Sequence, residues 1–250
     1  MNHSERIEAA CMISAKLLEK HPDEVVATAV AGSAARGEDH EFSDLDIRII
    51  ARGGTKIPSH TLVLKSCLVW VDVRSEASWR EELEDPTERL PFVIGALETI
   101  QPIFDPTGIF KKLRDKARSV PDRTWIEAAS RGLQEIIEDL GRARNYYVVD
   151  DAENLRVYAP VVAIDLAMIH ACLHRMVLIS EKELTRVFEK TLGPSSQANM
   201  DFRTASRIEY SSDEDVVRSL ERLHDFVSHE AAERGCEFKD HGSIRDFEPP

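Results

Sequence analysis

Apolar and polar positions fall into two regimes along the chain. Between Val25 and Phe104, short apolar runs alternate with turn residues. Val25 to Ala31, Leu45 to Ala51, Thr61 to Lys65 and Leu68 to Val73 read as strands, the last two as one hairpin. Thr99 to Phe104 reads as a further, edge-like strand, because Pro102 removes a ladder donor. Helical spacing precedes and interrupts these runs. Ser4 can cap a first helix with Ile7, Ile13, Leu17 and Leu18 near one face, ended by His21-Pro22-Asp23. Trp79 to Leu97 reads as helix broken at Pro86 and Pro91, and another helix runs from Asp105-Pro106-Thr107-Gly108 to Val120-Pro121.

Past that proline only the helical period remains. One long helix from Asp122 to about Val149 carries an apolar stripe of Trp125, Ala129, Leu133, Ile136, Ile137, Leu140 and Tyr147. A second, from about Asp151 to Ile179, is almost continuously apolar from Tyr158 to Met168 apart from Asp165. That suits the centre of a bundle or a subunit interface. Gly193-Pro194-Ser195-Ser196 makes a loop, Asp213 to Arg234 a last helix, and Gly235 to Pro250 a tail held loosely or draped on a neighbour. The change of pattern predicts an α+β chain of two domains, residues 1–120 with strands and helices and residues 121–250 all helical.

The chemistry concentrates after the first strand, in Ala31-Gly32-Ser33-Ala34-Ala35-Arg36-Gly37, followed by Ser43-Asp44-Leu45-Asp46. Residues i and i+2 of a strand share a face, so Asp44 and Asp46 project together, away from Leu45 and Ile47. Paired carboxylates repel unless they share a cation, and oxygen donors beside phosphates suit Mg²⁺. Gly32-Ser33, at a strand-to-helix corner, offers backbone N–H groups to phosphate oxygens. The combination reads as a metal–nucleotide site. Asp72, flanked by Val71 and Val73, is the candidate third carboxylate, since two metal ions need more than two acids.

Other features are plainer. Glu138 and Arg142 sit at i, i+4 beside the stripe of the first long helix, the spacing of a surface ion pair. His170 and His174 share that spacing without the glutamate of a metalloprotease box, and read as a packed or hydrogen-bonded pair rather than a metal site. Cys11, Cys67, Cys172 and Cys236 lack metal-ligand spacing and read as free thiols in a reducing cytoplasm. No apolar run approaches a membrane span and the N-terminus lacks a signal-peptide pattern, so no membrane partner is expected. A net charge of −13 argues against a nucleic-acid partner and favours a small cationic substrate, although solubility alone would also explain it.

The run of hydrophobic strand, Gly32-Ser33, short loop and Asp44-Leu45-Asp46 resembles the nucleotidyltransferases of the DNA polymerase β superfamily. Over nearly the full length the chain is similar to the aminoglycoside nucleotidyltransferase family. Pro102-Ile103-Phe104-Asp105 through Val120 resembles that family's linker, and Gln134 through Asn145 the helix carrying its base. The resemblance implies a polymerase β-like mixed sheet followed by a helical, substrate-binding and dimerising bundle. It implies a homodimer with shared active sites and transfer of a nucleoside monophosphate, AMP from ATP or another NTP, to an acceptor hydroxyl. Asp44, Asp46 and Asp72 would hold Mg²⁺. Gly32, Ser33, Arg36, Asp44, Asp46 and Arg142 would bind the nucleotide, and Glu138 would be the general base. The sequence departs from the family in a slightly shorter loop before Asp44. Asp46 and Asp72 stand where the family has glutamates, and Gln134 stands for an acid that binds the antibiotic's amines. Nucleotidylation of a protein or another metabolite, or nucleotide binding without turnover, stays open at this level.

Overall fold

In the computed structural model, residues 1–236 are described. The tail expected from Gly235 onward lies, beyond residue 236, outside the described residues. The chain divides into two compact units, Met1–Pro121 with Val177–Glu183, and Asp122–Met176 with the chain from Leu184 on.

The first unit is built on a five-stranded mixed sheet in the order β3-β4-β2-β1-β5. Its strands are β1 (Val25–Ala31), β2 (Leu45–Ala51), β3 (His60–Leu64), β4 (Cys67–Ser75) and β5 (Gln101–Phe104). β2 and β4 run parallel, and the other pairings are antiparallel. Lys65 and Ser66, both at positive φ, turn β3 into β4, and Pro102 lies on the edge strand β5. Alternation along the strands sorts the two faces. Leu45, Ile47, Ile49, Val69 and Val71 are buried in a core that includes Ala9 and Ala10 of α1 (His3–Lys20). Asp46, Arg48, Trp70 and Asp72 alternate with them and point the other way.

Helix boundaries followed local chemistry with two adjustments. The cap of α1 is Asn2, whose side chain accepts from Glu5 N while Glu5 reaches back to Asn2 N, so Ser4 lies inside the helix. The proline-broken helix is two, α3 (Glu76–Glu84) and α4 (Leu90–Thr99), with Pro91 in the first turn of α4. The short α2 (Gly32–Arg36) follows β1, and α5 (Ile109–Arg118) ends the continuous part of the unit.

The second unit is helical. In α6 (Asp122–Val148), Trp125, Ala129, Leu133, Ile136 and Leu140 are buried, but Ile137 is 60% exposed and Tyr147 40%, so the apolar stripe is narrower than its composition. The next helix, α7 (Ala152–Leu173), stops well before Ile179. Arg175 adopts φ 49° and Met176 N–H bonds back to Ala171 O, a left-handed termination that usually calls for glycine and leaves no trace in composition. By length and hydropathy α7 could cross a bilayer, correcting the reading that no apolar run was long enough, yet 61% of its apolar window is buried inside the protein. A short 3-10 turn (Glu181–Arg186), whose first three residues are counted with the first unit, leads into α8 (Val187–Leu192) and α9 (Gln197–Ala205), none read from the sequence, and then α10 (Asp213–Glu233).

Candidate active site

β1 and β2 pair antiparallel so that Ala31 stands opposite Asp46. The chain then leaves β1 through Gly32, whose φ of +65° suits a residue without a side chain. The carboxylate of Asp46 fills the space a side chain would take: a Cβ on Gly32 would lie 2.3 Å from Asp46 Oδ2. Gly32 opens the short helical turn α2, which runs to Arg36 and whose first N–H groups have no intrahelical acceptor. Gly-Ser and Asp-x-Asp, separate in sequence, are thus one structural element.

Burial pushes the Asp46 carboxyl above its ordinary pKa; Arg48 and Arg36 pull against this, while Asp44 and Asp72 reinforce it. Asp44 is exposed and directly precedes β2. A partly buried carboxylate made harder to ionise by two neighbouring aspartates would be relieved by a divalent cation. The donor set, aspartate oxygens with an open side, fits a hard ion such as Mg²⁺.

Asp72 stands opposite Arg48 across the parallel β2–β4 pair. Arg48 Nη1 approaches its carboxylate at 2.8 Å, Arg74 Nε at 2.9 Å, and Ser59 Oγ donates to it at 3.4 Å. Asp72 is therefore on the same sheet face as Asp46 and within its electrostatic reach, but its charge is matched by two guanidinium groups. Trp70, opposite Asp46, is 47% exposed on that face.

Sequence reading missed the residue that holds the loop between these elements. Arg6, on α1, is wholly buried. Its Nη1 donates to Asp39 Oδ2 at 2.8 Å, and its Nη2 to the carbonyls of His40 (2.8 Å), Glu41 (3.1 Å) and Ser43 (2.8 Å). Burial opposes ionisation of Asp39, but hydrogen bonds from His3 and Arg6 outweigh it and hold the carboxyl below its usual range. One guanidinium thus gathers the carbonyls of the segment that delivers Asp44. The only sequence signal is a charged residue between Glu5 and Ile7, too common a pattern to single out.

Arg36, at the end of α2, bonds Glu38 through Nε at 2.8 Å and Ile179 O at 3.3 Å. In the helical unit, Glu138 is 72% exposed at its side chain and pairs with Arg142. Arg142 also donates to Tyr158 OH at 2.9 Å, and Tyr158 OH donates to Asp139 at 2.5 Å. The Tyr158 contact, reinforced by Glu138, raises the Arg142 pKa further. Gln134 is exposed one turn earlier on α6. The i, i+4 pair is therefore made, inside a network whose Tyr158 and Asp139 were not anticipated.

Residues 10–119, which include the Gly32 turn, Asp44, Asp46 and Asp72, match the family model of the nucleotidyltransferase domain. Nucleotidyltransferases use a nucleoside triphosphate and a divalent metal. Beyond the domain, the chain is 26% identical over 226 residues to an aminoglycoside nucleotidyltransferase (4') of Staphylococcus aureus, covering 89% of this chain and 88% of the relative. An aminoglycoside nucleotidyltransferase (4') of a Bacillus species matches to the same extent, 26% over 226 residues. Among solved structures, a nucleotidyltransferase-like protein from Exiguobacterium sibiricum shares the fold, with a TM-score of 0.56 at 12% identity over 91% of this chain and 78% of that one.

Proposed function

We propose that this chain is a Mg²⁺-dependent nucleotidyltransferase that moves AMP from ATP to a hydroxyl of a small cationic acceptor of the aminoglycoside class, releasing pyrophosphate. The observation that carries the reaction is the Asp46 carboxylate packed on the Gly32 turn with Asp44 beside it in sequence and field. The acceptor class is supported by the similarity to the two (4') enzymes and by a net charge of −13, which attracts polycations.

In this reading Gly32, Ser33 and Arg36 bind the triphosphate, and Asp44, Asp46 and Asp72 are the metal-binding carboxylates. A bound divalent ion would supply charge neutralisation at the phosphates and polarise the α-phosphoryl group. For Asp72 to contribute, Arg48 and Arg74 must release it, and an incoming triphosphate offers them phosphate oxygens instead. Glu138 accepts the proton of the acceptor hydroxyl. That oxygen bonds to the α-phosphorus as the bond to the bridging oxygen breaks, and pyrophosphate leaves with the electron pair. Arg142 balances charge growing on the phosphoryl oxygens.

The proposal extends to a cytoplasmic homodimer. Val157, Val161 and Ile164, at helical spacing on α7, are 71%, 47% and 36% exposed and offer an apolar face. Sedimentation at micromolar concentration should give twice the 28.2 kDa chain mass, and a fully active monomer would overturn this part.

The reaction is tested by incubating the protein with ATP, Mg²⁺ and a panel of aminoglycosides, reading pyrophosphate release and the mass of the acceptor. A gain of one nucleoside monophosphate on an aminoglycoside is expected. Pyrophosphate release with no modified aminoglycoside would redirect the acceptor assignment. Folded, ATP-binding protein without any release would overturn the enzyme reading.

A further inference from the structure

In the helical unit three metal-type ligands from two helices meet away from the Asp44–Asp46 pair in the chain. His170 and His174 lie one turn apart on α7, and Glu230 comes from α10. Glu230 Oε2 is 2.7 Å from His170 Nδ1, and Oε1 is 2.6 Å from His174 Nε2. One donor atom from each residue lies within 4.8 Å of the others. His170 is fully buried, its ring stacked on Phe188 at 4.5 Å, whereas His174 is 22% exposed and opens the cluster to solvent.

We propose that His170, His174 and Glu230 form a binding site for a divalent transition ion, zinc in the first instance. Two imidazoles and one carboxylate are the donor set of three-ligand zinc sites, with water left to complete a tetrahedron. Nitrogen-rich donors disfavour Mg²⁺, so this site and the aspartate pair select different ions. Zinc–ligand bonds of 2.0–2.2 Å place tetrahedral donors about 3.3 Å apart. The carboxylate, now in hydrogen-bond contact with both rings, must draw back by a fraction of an ångström from each, and the widest donor pair, within 4.8 Å, must close towards that spacing.

The surroundings already accommodate the proton rearrangement that binding requires. His170 Nδ1 can ligate only if the ring proton sits on Nε2. There Thr191 Oγ1 lies at 2.8 Å to accept it, and the Thr191 hydroxyl has Val187 O at 3.1 Å to receive its own hydrogen. A metal-bound histidine commonly has its second nitrogen held this way. Without metal, the ring proton can instead lie on Nδ1 and bond Glu230, with Thr191 donating to Nε2. The cluster can thus stand empty or filled. Position 171 is alanine, so the general base of a metalloprotease helix is missing and the ion would join α7 to α10 rather than hydrolyse anything. Arg234 opposes the cation: its Nη2 lies 3.4 Å from His174 Nε2 and 3.5 Å from Glu230 Oε1. It caps α10 and is 39% exposed at its side chain, so it can swing into solvent.

The test uses full-length protein stripped with a chelator and titrated with Zn²⁺ or Co²⁺ in the presence of excess Mg²⁺. One ion per chain, a raised melting temperature and the intense visible bands of four-coordinate cobalt are expected. Asp44→Asn should keep those bands, which separates this site from the aspartate pair. His174→Gln and Glu230→Gln should each weaken zinc binding at least ~100-fold, given that losing an outer-shell partner already costs 10–100-fold. Arg234→Gln should tighten it, an effect that simple loss of structure cannot mimic. Absence of cobalt bands and of a zinc-dependent melting shift in the wild type overturns the site. So does zinc binding that is unchanged by His174→Gln in a folded variant.

Discussion

Replacing Arg6 by methionine tests whether one buried guanidinium sets the geometry of the candidate active site. Methionine keeps most of the length and apolar bulk of the side chain but removes every donor. The Asp39 carboxylate then keeps His3 and its own backbone N–H but loses its guanidinium partner, and the carbonyls of His40, Glu41 and Ser43 each lose their Arg6 partner. Breaking a buried ion pair from one side costs about 3–5 kcal/mol, because the remaining charge stays desolvated. That is a large part of the 5–15 kcal/mol typical of a domain, so the variant should fold but unfold early. With a urea slope near the upper end of ~1–3 kcal/mol/M, the midpoint should fall by roughly 1–2 M. Activity should fall further than stability explains. The loop from Gly37 to Ser43 carries Asp44, and a displacement of about 1 Å at a reacting centre can cost ~100-fold. Turnover should therefore drop by about that factor at a temperature where the variant is fully folded. Arg6→Lys should fall between, since an ammonium keeps the charge but cannot serve an acid and three carbonyls in one plane. If Arg6→Met unfolds within about 0.5 kcal/mol of wild type, the ordinary scatter of surface changes, and turns over within tenfold, Arg6 is not the anchor described here.

Three further outcomes follow from the same geometry. Gly32→Ala forces a Cβ onto Asp46 Oδ2 in a left-handed conformation, and should remove activity at a stability cost of about 1–3 kcal/mol, read from melting curves and nucleotide-dependent turnover. Because burial raises the Asp46 pKa, its ionisation destabilises the metal-free fold above that raised pKa. The penalty fades as pH falls towards the ordinary aspartate value, so Asp46→Asn should melt higher than wild type near neutral pH without metal, yet lose at least ~100-fold in activity; a variant that melts lower and stays active refutes both halves. Glu138→Gln should lower kcat by 10²–10⁴-fold and flatten the acid limb of the pH–rate profile if Glu138 is the base, whereas an unchanged kcat leaves it as the exposed partner of Arg142.

The strands and the long helices were legible because their signals are local. Alternation in Leu45-Asp46-Ile47-Arg48-Ile49 states which side chains meet the core, whatever the partner strand. Pro102 marks a sheet edge through the donor it lacks, and Pro91, read as a break, proves to stand in the first turn of α4 for the same reason. The strand-to-helix corner at Gly32-Ser33 was likewise legible, because a strand that ends in Gly-Ser turns on a chain-local demand. Residues whose part depends on who arrives from elsewhere were not. Arg6 is separated by more than thirty residues from the carbonyls it binds. Asp72 gains Arg48 only when β4 pairs with β2, although Arg74 is its same-strand neighbour two residues on, and His170 and His174 acquire Glu230 only when α10 packs on α7. Local pattern determines which face a side chain takes; burial, and the charge that must be matched there, is decided by the elements folding brings against it.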